Sequence, residues 1–399
     1  MVTHEGTTKL DLAQYPWPQF APDEVDAAAA VLKSGKVNYW TGTVGRSFEK
    51  EFAAYFGVKH AIAMANGTLT LQACLRALGV GRGADVITTP RTFIGTSSAI
   101  VEEGARPVMA DVDRESGNIT VATIQAAMTP QTKAIMPVHL GGWPCDMPAI
   151  MEFAKANGLT VIEDCAQSHG AKIDGVHAGA FGHVSSWSFC QDKIMSTGGE
   201  GGMVGTQDDE LWDRMWSIKD HGKSFDAVYN REHAPGFRWL HESWGTNWRM
   251  TEMQSAIGRL QIEKLPEWTR LRTRNAHIIE ERLRPLSALR VPEVPSNMEH
   301  AYYKLYAYVR PEALKSDWTR DRILGEIAQH GVPGLSGSCS EIYLEKAFTE
   351  FGLAPAERLP VAKELGETSL MFLVHPTLAE DAVRSVAEIV AEVVTRATR

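Results

Sequence analysis

The sequence predicts an α/β fold, a mainly parallel sheet wrapped by helices with a smaller α+β domain beside it, on three observations. Between about residues 58 and 206, short apolar runs alternate with helical stretches, the rhythm of βαβ units. Those runs are near-continuous rather than alternating, as expected of strands covered on both faces. The segments on either side read instead as helices with a few strands.

Residues 22–34 (PDEVDAAAAVLKS) open the regular structure. Pro22 at the start, Asp23 and Glu24 in the first turn and Gly35 as the stop mark a helix. Strands are predicted at 58–65, 84–90, 106–113, 132–140, 159–166, 183–190 and 201–206. TLTLQACLRAL, TFIGTSSAIVEE, TVATIQAAM and PAIMEFAKAN lie between them as helices, the second stopped by Gly104 and the last by Gly158. Residues 251–285, rich in i, i+4 charge pairs, form one long helix. After Pro292 come strands in HAYYKLYAYVR, a helix in SDWTRDRILGEIAQHG and an amphipathic helix from Glu380. The expected division is a large domain over 36–270 and a small α+β domain built from 1–35 and 271–399, the N-terminal helix packing against the C-terminal module.

The 399 residues are 44% hydrophobic and 22% charged, enough apolar material for a sizeable core and too little charge for a disordered chain. Forty basic against 49 acidic residues leave a net charge of −9, which argues against nucleic acid as a partner. The N-terminus lacks a basic stretch followed by an apolar run, so no signal peptide is expected. No run of about 18 apolar residues predicts a membrane span. Five widely spaced cysteines without a CxxC fit reduced thiols and a cytoplasmic location. The Asn66 and Asn118 sequons then carry no meaning.

Several common site motifs are absent. GVGRG (79–83) follows a helix and lacks GxGxxG spacing, and there is no GxxxxGK[ST], HExxH or GxSxG. The 13 histidines show no ligand spacing, so no metal site is expected.

Polar groups stand instead at successive strand ends, where ligands of open α/β sheets bind. Asn66-Gly67-Thr68 joins a strand to a helix; its outward N–H groups suit a phosphate, although a plain helix cap has the same look. Glu163 and Asp164 end the strand VIEDCAQSHG with Gln167 just beyond, and adjacent strand residues face opposite ways, so only one acid can face a site. Lys193 follows the buried strand ending Ser188-Phe-Cys-Gln and precedes GGEGG (198–202), whose glycines let backbone approach a ligand. Burial would lower the pKa of such a lysine and make it a usable amine nucleophile. A lysine for a Schiff base, an acid for a pyridinium nitrogen and a helix N-terminus for a phosphate are the parts of a pyridoxal 5′-phosphate site.

The motifs NGTLTLQACLRALGVG, IEDCAQSHGA, SFCQDKIMSTGGEGGMV and GTNWRMTEMQSAIGRLQ, in that order, resemble the DegT/DnrJ/EryC1/StrS family of sugar aminotransferases, from about residue 34 onward. The resemblance implies the aspartate aminotransferase (fold type I) architecture and pyridoxal 5′-phosphate as cofactor. It implies Lys193 as the Schiff-base lysine, Asp164 as partner of the ring nitrogen, Gln167 on the ring hydroxyl and Ser188, Gly67 and Thr68 around the phosphate. Phe93 falls where the family places an aromatic on the ring. Asn247 matches an asparagine that reaches the phosphate of the neighbouring subunit's cofactor, implying a homodimer with shared sites.

The implied reaction moves an amino group, usually from L-glutamate, to a keto sugar, most naturally a nucleotide-linked 4-keto or 3-keto deoxysugar. Amination of a ketocyclitol and a non-catalytic regulator on the same fold are the alternatives. A third, sugar dehydration or deoxygenation, goes in the family with histidine in place of the lysine, so Lys193 counts against it. Candidate sugar contacts are Trp40, Thr41, His221, Arg249 and Lys304. The aromatic and basic segment 219–247 reads either as an interface or solvated loop, or as a cover over an anionic sugar nucleotide. Trp143 is expected to serve core or interface packing.

Overall fold

The computed structural model describes residues 9–399. The first eight residues, which enter the expectations of a leaderless N-terminus and of an N-terminal piece of the small domain, lie outside the described residues. All seven runs expected as strands between 58 and 206 pair into one sheet: β1 (His60–Met64), β2 (Asp85–Thr88), β3 (Arg106–Met109), β4 (Thr132–Ile135), β5 (Thr160–Asp164), β6 (Val184–Ser188) and β7 (Gly202–Thr206). Their spatial order is β1-β7-β6-β5-β4-β2-β3. Neighbours are parallel except at β7, which is antiparallel to both β1 and β6. The connection over 189–201 holds no helix to carry the chain back across the sheet, so β7 returns antiparallel. The carboxyl ends of β1, β2, β5 and β6 therefore open on one edge, with the start of β7 among them.

Helices α1 (Pro22–Ser34), α2 (Val44–Phe56), α3 (Gly67–Ala77) and α4 (Gly95–Glu102) precede or connect the first strands. α1 lies on the first half of the long helix Glu252–Leu283, where Gln261 Nε2 donates to Glu24 Oε1 at 2.7 Å and Lys264 reaches Glu24 at 3.0 Å. The chain before α1, not α1 itself, meets the C-terminal module: Leu10, Leu12 and Tyr15 pack on its core, and the Leu10 N–H donates to the His330 carbonyl.

That module is a three-stranded antiparallel sheet, β8 (Leu289–Arg290), β9 (Leu305–Val309) and β10 (Ser369–Phe372), covered by the helices Arg320–Gln329 and Glu380–Ala397. In the last helix Val383, Val386, Val390 and Val394 recur at helical spacing on the buried side. The expected strand HAYYKLYAYVR pairs only over Leu305–Val309. Residues 301–304 turn instead along Gly141–Gly142, with Tyr302 in the left-handed region (φ 46°), and this detour carries Tyr303 to the cavity described below. Among the described residues no helix is long and apolar enough to cross a membrane, and all five cysteines are free.

The long helix sits close to α2 because residue 258 is glycine. A Cβ there would stand 2.4 Å from Phe48 Cζ, and Phe48 is fully buried against Phe52 and Phe189. Gly→Ala inside a helix ordinarily gains up to ~1 kcal/mol, but overpacking a filled core costs ~1–3 kcal/mol. Gly258→Ala is expected to lower the urea midpoint of unfolding at unchanged slope; a raised midpoint would show that α2 yields easily.

Candidate active site

A cavity of about 750 Å³ opens at the carboxyl ends of the strands. Its first wall is the turn from β1 into α3. Asn66 caps the helix, its Oδ1 accepting the Leu69 N–H at 3.0 Å. The N–H groups of Gly67 and Thr68 have no acceptor among the described residues. Gly67 lies so close to the end of β6 that a Cβ would stand 2.6 Å from Ser188 Cβ. Two unused N–H donors, a serine hydroxyl and a helix N-terminus thus converge, an arrangement suited to a phosphate.

β5 divides its two acids as the strand period requires. Glu163 turns away from the cavity and accepts the N–H groups of Gly179, Phe181 and Gly182 at 2.6–2.9 Å, with His139 Nε2 at 3.2 Å. His139 Nδ1 accepts from the Cys145 N–H, so Nε2 carries the proton and donates to Glu163. His139, Glu163 and Cys165 lie close enough to hold a metal ion, but the glutamate and histidine are already spent on these bonds. Asp164 faces the cavity, accepting the Thr96 hydroxyl at 2.9 Å and the Ala166 N–H at 3.1 Å. Burial pushes its carboxyl above the usual range, while the Ala166 N–H, the Thr96 hydroxyl and the charges of Lys193 and His139 pull the other way.

Gln167 is oriented by the Gly141 N–H, which donates to Oε1 at 2.7 Å and leaves the amide nitrogen as the donor offered to the cavity. Phe93 stands on the cavity wall 70% exposed, an aromatic face with nothing stacked on it among the described residues. Lys193 has a side chain only 14% exposed, with Nζ 3.8 Å from Asp192 and 5.1 Å from the Tyr303 ring centroid. The Trp17 indole N–H donates to its main-chain carbonyl at 2.9 Å. The glycines after it serve their own backbone: Gly198, Gly199 and Gly201 all lie at positive φ, and a Cβ on Gly201 would stand 2.1 Å from Thr197 Oγ1. Glu200 among them lines the cavity.

Seven expected residues, Gly67, Thr68, Phe93, Asp164, Gln167, Ser188 and Lys193, therefore share one cavity. Asn247, Trp40, Thr41, His221 and Arg249 do not line it. Asn247 is exposed, on a segment beside the end of β1 where the Ala65 N–H donates to the Trp248 carbonyl. Trp40 stacks on Tyr229 with Lys223 Nζ 4.0 Å from its ring centroid, and Thr41 bonds Asn38. His221 sits at φ 60° in a turn, and Arg249 pairs with the buried Asp220 at 2.7 Å. Lys304 is behind the wall, 4.7 Å from the Tyr303 ring centroid, where burial pushes it down to about 8. Trp143 is buried core, edge-on to His300.

Sequence reasoning missed Thr96, Asp192, Glu200, Tyr303 and Ser338. Asp192 and Glu200 flank residues already singled out and could have been found by that adjacency. Tyr303 was hidden inside an apparent strand, and Ser338 gave no signal.

A mainly parallel sheet with a lysine, an acid and a helix N-terminus gathered at its strand ends fits the class of pyridoxal-phosphate-dependent aminotransferases. The family model described as "DegT/DnrJ/EryC1/StrS aminotransferase family" matches residues 18–391. The chain belongs to that family. It is 36% identical over 350 residues, 88% of each chain, to a UDP-N-acetyl-3-dehydro-alpha-D-glucosamine 3-aminotransferase of Acidithiobacillus ferrooxidans. To a GDP-perosamine synthase of Caulobacter vibrioides it is 38% identical over 297 residues, 73% of this chain and 76% of that one. A solved structure of an aminotransferase from Psychrobacter cryohalolentis is 55% identical, with a TM-score of 0.94 over 96% of this chain and 99% of that one.

The buried acid carries a testable cost. Because burial raises the folded pKa of Asp164, the ionised form destabilises the protein above that pKa. Stability returns as pH falls through it, and the effect vanishes below the unfolded value. In cofactor-free protein, Asp164→Asn is therefore expected to melt higher than wild type at neutral pH, the gap closing in acid. A variant that melts lower at neutral pH would contradict this account of the acid.

Proposed function

We propose that the protein transfers an amino group from an amino-acid donor, in first instance L-glutamate, to the ketone of a nucleotide-linked sugar. The observation that carries this reading is the convergence of Lys193, Asp164, Gln167 and the unused N–H groups of Gly67 and Thr68 on one cavity. The residues fit pyridoxal phosphate: the α3 N-terminus and Ser188 would hold its phosphate, Gln167 its ring hydroxyl, Asp164 its ring nitrogen and Phe93 its ring face. Bound there, the cofactor supplies an aldehyde that condenses with amines and a ring that takes up the electrons of a broken C–H bond.

The protein's own groups do the rest. Asp164 would keep the proton on the ring nitrogen, where a carboxylate with little water around it favours the cation strongly. Lys193 Nζ would remove and hold the proton from the donor's α-carbon once the cofactor carries the donor's nitrogen. In the second half-reaction the same amine would deliver a proton to the sugar carbon that receives nitrogen. Asp192 and Glu200 line the cavity beside Lys193 and are acceptors suited to sugar hydroxyls. UDP- and GDP-sugar enzymes among the relatives support a nucleotide-linked acceptor.

We further infer a homodimer in which Asn247, exposed on the β1-side segment, completes the site of the other copy. Lys193→Ala is expected to fold normally but to lose both the visible absorption of the lysine-bound cofactor and all turnover with glutamate. Persistent transamination by that variant would sink the assignment.

A further inference from the structure

A second cavity, of about 470 Å³, lies on the large sheet's other edge, between α2 and the helices Asp209–Lys219 and Phe225–Tyr229. Its size falls within the ~300–1,000 Å³ of small-molecule sites. The floor is Tyr39 and Trp216, both buried, with the Trp216 indole N–H donating to Tyr39 Oη at 3.3 Å. Trp212, Phe225 and Tyr229 form the walls, packed edge-on or tilted against one another and against Trp216. Tyr229 is held further by stacking on Trp40 at 17°. The aromatic surfaces are thus fixed before any ligand arrives, which lowers the ordering cost of binding.

The charges around it are one-sided. Arg46, Lys50 and Lys59 line the cavity, and Glu49 is its one carboxylate. Glu49 is buried and occupied: its oxygens accept the Ala63 N–H at 3.0 Å and the Tyr39 hydroxyl at 3.1 Å. Lys59 is paired with Asp209. Arg46 and Lys50 have no carboxylate partner within salt-bridge distance among the described residues. Arg46 is nevertheless fixed, donating to Tyr229 Oη at 3.1 Å and to the Gly42 carbonyl at 2.9 Å. Fixed aromatic walls beside two cations without a carboxylate partner, Arg46 and Lys50, suit a planar ring that carries an anion. A bare sugar would want acceptors in the walls, and an aliphatic chain would leave the cations unused.

We propose that this cavity is a second ligand site that takes a nucleoside phosphate, the base among Trp212, Phe225 and Tyr229 and the phosphates at Arg46 and Lys50. It is separate from the site at Lys193. His60 and Ala61, at the start of β1, line it, whereas the phosphate cradle begins beyond the end of that strand, about 20 Å away at a strand's rise per residue.

Calorimetric titration of the holoenzyme with UDP, GDP and dTDP tests this. At least one of the three is expected to fill a site whose affinity falls tenfold or more in Lys50→Glu, an exposed position, and in Trp212→Leu. Turnover at saturating substrate should be unchanged in both. Two sites in wild type and one in the variants would support this cavity together with a nucleotide-linked acceptor at Lys193. A single site that Lys50→Glu removes would support the cavity while counting against nucleotide recognition at Lys193. The proposal is overturned if no nucleotide binds, or if every site keeps its affinity in both variants.

Discussion

Asp164 is a carboxylate held in the interior with no cation at salt-bridge distance among the described residues, and the site is organised around that constraint. An isolated buried charge costs several kcal/mol unless donors surround it. Here a hydroxyl and an N–H supply two bonds, while a carboxylate can accept about four. Glu163, one residue earlier, is buried too but has three N–H donors and His139 to itself. The strand period separates an acid whose oxygens are fully bonded to the turn from one that faces the cavity. Glu163 ties the turn at 179–182 to the sheet, and Asp164 keeps capacity for a cationic ring atom.

That placement depends on close approaches elsewhere. Thr96 reaches Asp164 only because α4 begins beside the end of β2, and Gly67 lets α3 press its N-terminus on Ser188. Gly202 does the same from β7, where a Cβ would stand 2.7 Å from the Asn66 carbonyl carbon. Three strand ends and two helix starts are thereby drawn around one volume, and Lys193 enters it from the irregular connection that makes β7 antiparallel.

Much of this was legible because it is local. Apolar runs with helical spacers specify a wrapped parallel sheet, and Asn66-Gly67-Thr68, Asp164, Gln167 and Ser188 sit at strand ends where chain geometry alone fixes their direction. Tyr303, Ser338 and Thr96 reach the cavity through tertiary packing that one strand's pattern does not encode. The 219–247 segment shows the same limit. Its basic residues suggest positive potential over an anion, yet Arg231 is paired with Asp226 and Glu242 and Lys223 with the buried Asp220. What it presents outward is aromatic: Phe237, Trp239 and Trp244 are among the most exposed large side chains of the chain. If the segment covers a site, it brings chiefly apolar contact, with Arg238 the exposed cation in it that has no ion-pair partner among the described residues.

The net charge of −9 conceals a division of labour that the two cavities make visible. The one at Lys193 is lined by Asp164, Asp192 and Glu200 with a single lysine, an acceptor-rich surface. Its positive potential comes from backbone N–H groups rather than from side chains, which a count of residues cannot register. The cavity at Tyr39 has the opposite sign, built from side-chain cations over aromatic rings. β1 joins them: its first residues line one cavity, its last residues lead into the phosphate cradle of the other, and Glu49 grips it between the two through the Ala63 N–H. α2 therefore touches both: it lines one cavity and holds, through Glu49 and the apolar packing of Phe52 and Phe56, the strand that leads into the other.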